Sequence, residues 1–164
     1  MPEKKYLPKY KGCFICGQKD VNPATLGLRF EVIEKGVCVK LTLNRLHEGY
    51  RDVVHGGIIC SLLDETMGWS VAVERKKFFI TGELNVRFLK PLPTHLEITV
   101  KGHSVEHKSR YSVAEGEITD LKGTVYAKAW GKFFFMKDDV AEKAKSYLTF
   151  QKGDIDILST GSGC

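Results

Sequence analysis

The fold turns on one stretch, Val54-His55-Gly56-Gly57-Ile58-Ile59-Cys60-Ser61-Leu62-Leu63-Asp64-Glu65-Thr66-Met67-Gly68-Trp69-Ser70-Val71-Ala72-Val73. After the glycine pair, apolar residues fall on nearly every side of a helical wheel, which predicts a long helix enclosed around most of its circumference. Asp64 and Glu65 interrupt that pattern in its middle. The residues that share a helical face with Asp64, Cys60, Met67 and Gly68 three or four positions away and Val71 seven away, offer no positive partner. A buried carboxylate without a partner is costly, so the acid marks a place where the chain gives up stability for another purpose.

On the N-terminal side of this helix, Asn44 to Val54 is a polar loop with His47, Gly49 and Asp52. Before it, Leu28 to Ile33 and Val37 to Leu43 alternate apolar and polar residues around Glu34-Lys35-Gly36, a pattern of two antiparallel strands and a tight turn. Residues 1–27, rich in Lys, Pro, Gly and turn formers and holding Cys13-Phe14-Ile15-Cys16-Gly17, read as an irregular N-terminal extension. On the C-terminal side the charge run Glu74 to Lys77 ends the helix. Four strands follow, Phe79 to Leu89, Leu96 to Val105, Arg110 to Ile118 and Thr124 to Phe135, with Pro91 and Pro93 at the first junction and short turns at the others. Consecutive strands with short links predict an antiparallel meander. Residues 138–148 read as a short helix and 159–164 as a disordered tail. The expected organisation is an α+β chain: an extension (1–27), a core domain (28–137) in which a curved antiparallel sheet of five to six strands wraps one long central helix, and a C-terminal helix and flexible tail (138–164). Such a sheet has open edges, and pairing two copies edge to edge covers one of them.

With 164 residues and 43% hydrophobic composition the chain can bury a full core, which excludes disorder as its functional state. A net charge of +5, with lysines scattered along the chain, is too weak for a nucleic-acid footprint, though it suits a small polyanionic ligand. No nucleic-acid or membrane partner is expected. Met1-Pro2-Glu3-Lys4-Lys5-Tyr6 has no signal-peptide pattern, and no charge-free apolar run is long enough to span a bilayer. Five cysteines, an odd number, argue against a disulfide framework, and a cytoplasmic, reduced state is expected.

His55-Gly56-Gly57, then Leu62-Leu63-Asp64-Glu65, then Thr81, Leu84-Asn85-Val86 and Phe88-Leu89-Lys90-Pro91 resemble, in order, the hotdog-fold acyl-CoA thioesterases, with the phenylacetate-type (PaaI-like) subgroup nearest. The resemblance spans roughly residues 28–135. Cys13-x-x-Cys16-Gly17 with Asn22-Pro23 and Gly27-Leu28 resembles the start of some members. It implies hydrolysis of an acyl-CoA thioester, with coenzyme A as part of the substrate and no cofactor. It also implies roles: the Gly56 N–H receives the thioester carbonyl, Asp64 acts as base or nucleophile, His55 lies near the reacting bond, and Thr81 orients water. Gly57, Glu65 and Asn85 are placed with the substrate, and Arg87 and Lys90, with Lys128, are the cations available to the phosphates of coenzyme A. Met67, Trp69 and Val71 are the expected lining of the acyl pocket. One position departs from the family: many members carry Asn six residues before the HGG histidine, where this chain has Gly49, with His47 as a possible substitute.

Elementary chemistry agrees with these roles. A glycine at a helix start presents an unpaired N–H at the positive end of the helix dipole, and an acid in apolar surroundings is a stronger base than an exposed one. Eight residues of helix separate Gly56 from Asp64 by about 12 Å, too far for one carbonyl to touch both. If both act on one thioester, they come from two chains in a dimer, or a dimer of dimers, with shared sites. Glu65 is equally consistent with bonding to a neighbouring loop. Cys13 and Cys16 supply two ligands where a structural zinc normally takes four; His47, Cys38 or a second subunit would have to complete the set, so no metal is expected. The alternatives to hydrolysis are a non-catalytic acyl-CoA sensor of the same fold and an enoyl-thioester hydratase.

Overall fold

The computed structural model describes residues 3–158; the expected tail, 159–164, lies outside the described residues. From the N-terminus come β1 (Lys5–Tyr6), β2 (Lys9–Tyr10), β3 (Glu31–Ile33), β4 (Gly36–Thr42), a 3-10 turn (Arg45–His47), β5 (Glu48–Tyr50) and β6 (Val53–Val54). The 20-residue helix α1 (Gly56–Arg75) follows, then β7 (Phe79–Phe88), β8 (Glu97–His107), β9 (Tyr111–Asp120), β10 (Val125–Phe135), α2 (Asp138–Lys145) and β11 (Leu148–Thr149). Lys76, left-handed at φ 52°, closes α1 by returning its N–H to the Ala72 carbonyl.

Seven strands form one antiparallel sheet in the order β1-β3-β4-β8-β9-β10-β7, wrapped around α1. Two expectations are corrected here. The sheet exceeds five to six strands because the N-terminal segment, irregular by composition, adds β1 to β3 and sends Leu7, Ile15 and Cys16 into the core. The meander holds only for β8-β9-β10, since β7 pairs with β10 and not with β8. The cause is the proline-bearing link after β7. It crosses the entrance to α1, where Val54 donates to Leu92, Thr94 to Asp52 and His95 to Leu43, and so carries the chain to β4 on the opposite side of the helix.

Leu62, Leu63, Met67 and Val71 of α1 are fully buried, in one core with Val100, Ile118 and Phe133 of the sheet. The helix packs closely on a glycine pair, Gly102 and Gly116, cross-strand partners on β8 and β9: its backbone lies on Gly102, and the side chains of Leu63 and Met67 lie on Gly116. A Cβ on Gly102 would stand 2.9 Å from backbone atoms of Thr66 and Met67. Enclosure all round, expected from the sequence, applies to the C-terminal half of α1, where Thr66 to Ala72 are buried. Along the N-terminal half Gly57, Cys60, Ser61 and Asp64 remain at least partly open. Asp64 meets β7 through Thr81, and Gly56 lies beside Phe88 of the same strand. Strand β7 is the sheet edge, and its Ile80 and Phe88 are exposed. Among the described residues no helix is long and apolar enough to cross a membrane.

Gly102 sets the distance between helix backbone and sheet. Gly102→Ala is expected to lower unfolding stability by about 1–3 kcal/mol through overpacking, read as a fall in the urea midpoint at unchanged m-value.

Candidate active site

The start of α1 is built by His55. Its backbone is extended (φ −62°, ψ 135°), and its ring Nδ1 accepts the N–H of Gly57 at 2.9 Å. The His55 carbonyl accepts from Ile58 and Ile59. In the first turn this leaves the Gly56 N–H without an acceptor among the described residues, at the positive end of the helix. An accepting Nδ1 carries no proton, so the neutral ring holds its proton on Nε2 and can donate from there.

Eight residues along, half-buried Asp64 accepts a hydrogen bond from the Thr81 hydroxyl at 2.8 Å. A β-bulge makes this contact possible. Lys132 pairs with Glu83 and Phe133 with Thr81, so Gly82 is the extra residue; Thr81 turns toward the helix while Glu83 faces outward to pair with Lys132. Burial pushes the Asp64 carboxyl above the usual carboxylate range, and the Thr81 hydroxyl opposes that shift. Burial, with this carboxylate adding to it, raises the thiol of Cys60 one turn earlier. Asp64 and Gly56 belong to one unbroken helix, so the separation of about 12 Å stands within a single chain.

The other expected residues lie elsewhere. Asn85 and Arg87 project from the outer face of β7 into a groove of about 600 Å³, away from Asp64, and Asn85 donates to Glu83 at 3.1 Å. Arg87 pairs in register with Lys128 there. Lys90 is exposed two residues beyond Phe88, the residue whose ring lies beside Gly56. Met67 and Val71 do not line an acyl pocket: the sheet seals them in the core. Trp69 gives its indole N–H to Glu65 at 3.0 Å, and Glu65 turns away from Asp64 toward the N-terminal segment. Burial pushes the Glu65 carboxyl up to about 8.

The loop before the helix holds a feature that sequence reasoning missed. Glu48 Oε1 is buried without a hydrogen-bond partner among the described residues, and Glu48 lines a cavity of about 430 Å³ with His47, His55, Gly57 and Ser61. In sequence it is one loop acid among many. The departure at Gly49 gains a steric reason: a Cβ there would lie 3.1 Å from Cα and Cδ2 of His55, leaving no room for Asn unless His55 moves. His47 Nδ1 accepts the Asn44 N–H in the preceding turn, and its side chain lines the same cavity as His55.

The family model of the thioesterase superfamily matches residues 52–127. A protein of Sulfurisphaera tokodaii named "Putative esterase" is 32% identical over 115 residues, which are 69% of this chain and 85% of that protein. The chain belongs to the thioesterase superfamily, and its helix-in-sheet architecture is the hotdog fold. A solved thioesterase superfamily protein superposes with a TM-score of 0.65 at 26% identity, covering 70% of this chain; the chain spans 56% of that protein. A Bacillus halodurans protein solved with CoA superposes with a TM-score of 0.55 at 29% identity, over 60% of this chain and 66% of that one.

Because the folded pKa of Asp64 lies above its unfolded value, the folded chain binds this proton more tightly, and rising pH through that interval removes stability. Asp64→Asn is therefore expected to unfold at higher urea than the wild type at pH 8, with the difference shrinking as pH falls toward about 4. Equal midpoints at both pH values would show that Asp64 is not held in a charge-disfavouring site.

Proposed function

We propose that the chain hydrolyses acyl-CoA thioesters with small, medium-chain or aromatic acyl groups, of the phenylacetate type, to the free acid and coenzyme A. The observation that carries this is the pairing on α1 of one open N–H, at Gly56, with one half-buried acid, Asp64, that is held by a hydroxyl and faces no cation. In this reading the thioester carbonyl oxygen accepts from Gly56, with Nε2 of His55 beside it. Asp64 takes a proton from a water positioned by Thr81, and the water oxygen attacks the carbonyl carbon. Collapse of the adduct breaks the carbon–sulfur bond, and the coenzyme A thiolate leaves and takes up the proton.

The site is shared between two copies. Strand β7 is an unpaired edge, with Thr81 and Asp64 toward one end and Phe88 and Gly56 toward the other. A two-fold axis through β7 near Leu84 and Asn85 sets Thr81 opposite Phe88 of the partner subunit, and so brings Asp64 toward the opposing helix start. It also covers the open face of α1. Lys90, two residues beyond Phe88, is the cation best placed for the phosphates of coenzyme A, with Arg87 and Lys128 further along the outer face. The CoA-bound Bacillus halodurans relative supports this substrate class. Gly49, packed on His55 where many members carry Asn, favours a second reading, a sensor that binds acyl-CoA without turning it over.

Thiol release from a panel of short, medium and aromatic acyl-CoAs separates the two. Hydrolysis is expected on part of the panel, with kcat falling about 10²–10⁴-fold in Asp64→Asn and about 10²–10³-fold in Gly56→Pro. Proline suits the first helical position after an extended residue, so Gly56→Pro removes the N–H and leaves the helix intact. Tight binding without turnover on any member would establish the sensor, and undiminished turnover in Asp64→Asn would refute the mechanism.

A further inference from the structure

Cys13, Cys16 and Glu65 come together although 52 residues separate the first from the last. Their ligand atoms, two thiol sulfurs and a carboxylate oxygen, all lie within 4.8 Å of one another. The sequence offered His47, Cys38 or a second subunit to complete a CxxC pair. Instead the third group comes from the helix residue next to Asp64.

The local construction is that of a metal knuckle. Cys13 Sγ accepts the backbone N–H of Ile15 at 3.2 Å and of Cys16 at 3.4 Å, donors that hold a thiolate in place. The Gly17 N–H closes the turn on the Cys13 carbonyl, and a Cβ at Gly17 would lie 2.2 Å from that oxygen, so the turn requires glycine after the second cysteine. Glu65 is fixed by the Trp69 indole N–H, the kind of outer hydrogen bond that orients a metal ligand. Tetrahedral zinc, with bonds near 2.3 Å to sulfur and about 2.0 Å to oxygen, sets those two atoms about 3.5 Å apart. Cys13 Sγ stands 3.5 Å from Glu65 Oε1, to which its thiol donates in this structure.

We propose that Cys13, Cys16 and Glu65 bind one zinc ion, with water as fourth ligand. The water has room in a cavity of about 210 Å³ that Cys13 and Glu65 line with Tyr10, Trp69, Phe79 and Met136. Two thiolates and a carboxylate favour zinc over the hard ions magnesium and calcium. The ion clamps the N-terminal segment to the helix that carries Asp64. It lies outside the hydrolytic site, so the two readings stand or fall separately.

The test uses the full chain, reduced and stripped by a chelator, titrated with cobalt(II) and then with zinc. One cobalt per chain is expected, with thiolate-to-cobalt charge-transfer absorption in the near ultraviolet, displaced by zinc and accompanied by a rise in Tm that chelator reverses. Cys13→Ser and Cys16→Ser abolish the band, Glu65→Gln weakens zinc binding about 10–100-fold, and Cys38→Ser leaves both unchanged. Circular dichroism verifies that each variant is folded, and Glu65→Gln, nearly isosteric, serves if a cysteine variant is not. Absence of the band in the folded, reduced wild type overturns the proposal. So does its survival in a folded Cys13→Ser or Cys16→Ser, or undiminished zinc affinity in Glu65→Gln.

Discussion

The structure depends on the contact of α1 with Gly102 and Gly116. With the helix backbone against Gly102 and the Leu63 and Met67 side chains against Gly116, α1 has one rotational setting, in which Leu62, Leu63 and Met67 are buried in the core. At about 100° per residue, that setting also fixes where the two acids go. Asp64 reaches the edge strand β7, and Glu65, one step round, reaches the N-terminal segment. Two adjacent carboxylates of similar chemistry thus enter different surroundings because of a packing contact on a third side of the helix.

On the proposed readings, those surroundings divide their roles. Asp64 receives one hydroxyl hydrogen bond, meets no cation and keeps one side open, as a base that must meet a substrate requires. Glu65 receives an indole N–H and stands against two sulfurs, as an acid that holds something in place requires. The helix start is divided in the same way. His55 uses its ring nitrogen to satisfy Gly57, and the N–H left over belongs to Gly56.

Much of this was legible in the sequence, for reasons that are local. An apolar helix interrupted by acid, two strands before it and four after it follow from periodicity and turn residues, and the structure places α1 and the long strands within a few residues of those bounds. The partner of β7 was not legible, because pairing depends on where a proline-bearing link crosses, and that is decided by hydrogen bonds to a loop some 40 residues earlier. The strand β1 was hidden by lysine- and proline-rich composition. The inward turn of Thr81 needed a bulge that no alternation pattern records, while Asn85 and Arg87, on the regular part of β7, face outward. Met67 and Val71 read as pocket lining, and the packing of the sheet against the helix makes them core. The approach of Glu65 to Cys13 is a contact between distant segments, beyond the reach of any spacing rule.

The central claim is that α1 carries two half-sites, each completed by another copy of the chain. A mixed dimer tests it most directly: Gly56→Pro and Asp64→Asn chains with different tags, co-expressed, isolated through both tags and assayed for thiol release. A dimer of either variant alone has no intact site. The mixed dimer combines one unaltered Gly56 with one unaltered Asp64 across the interface, and is predicted to recover about half of the wild-type activity. A mixed dimer as inactive as its parents would contradict the account.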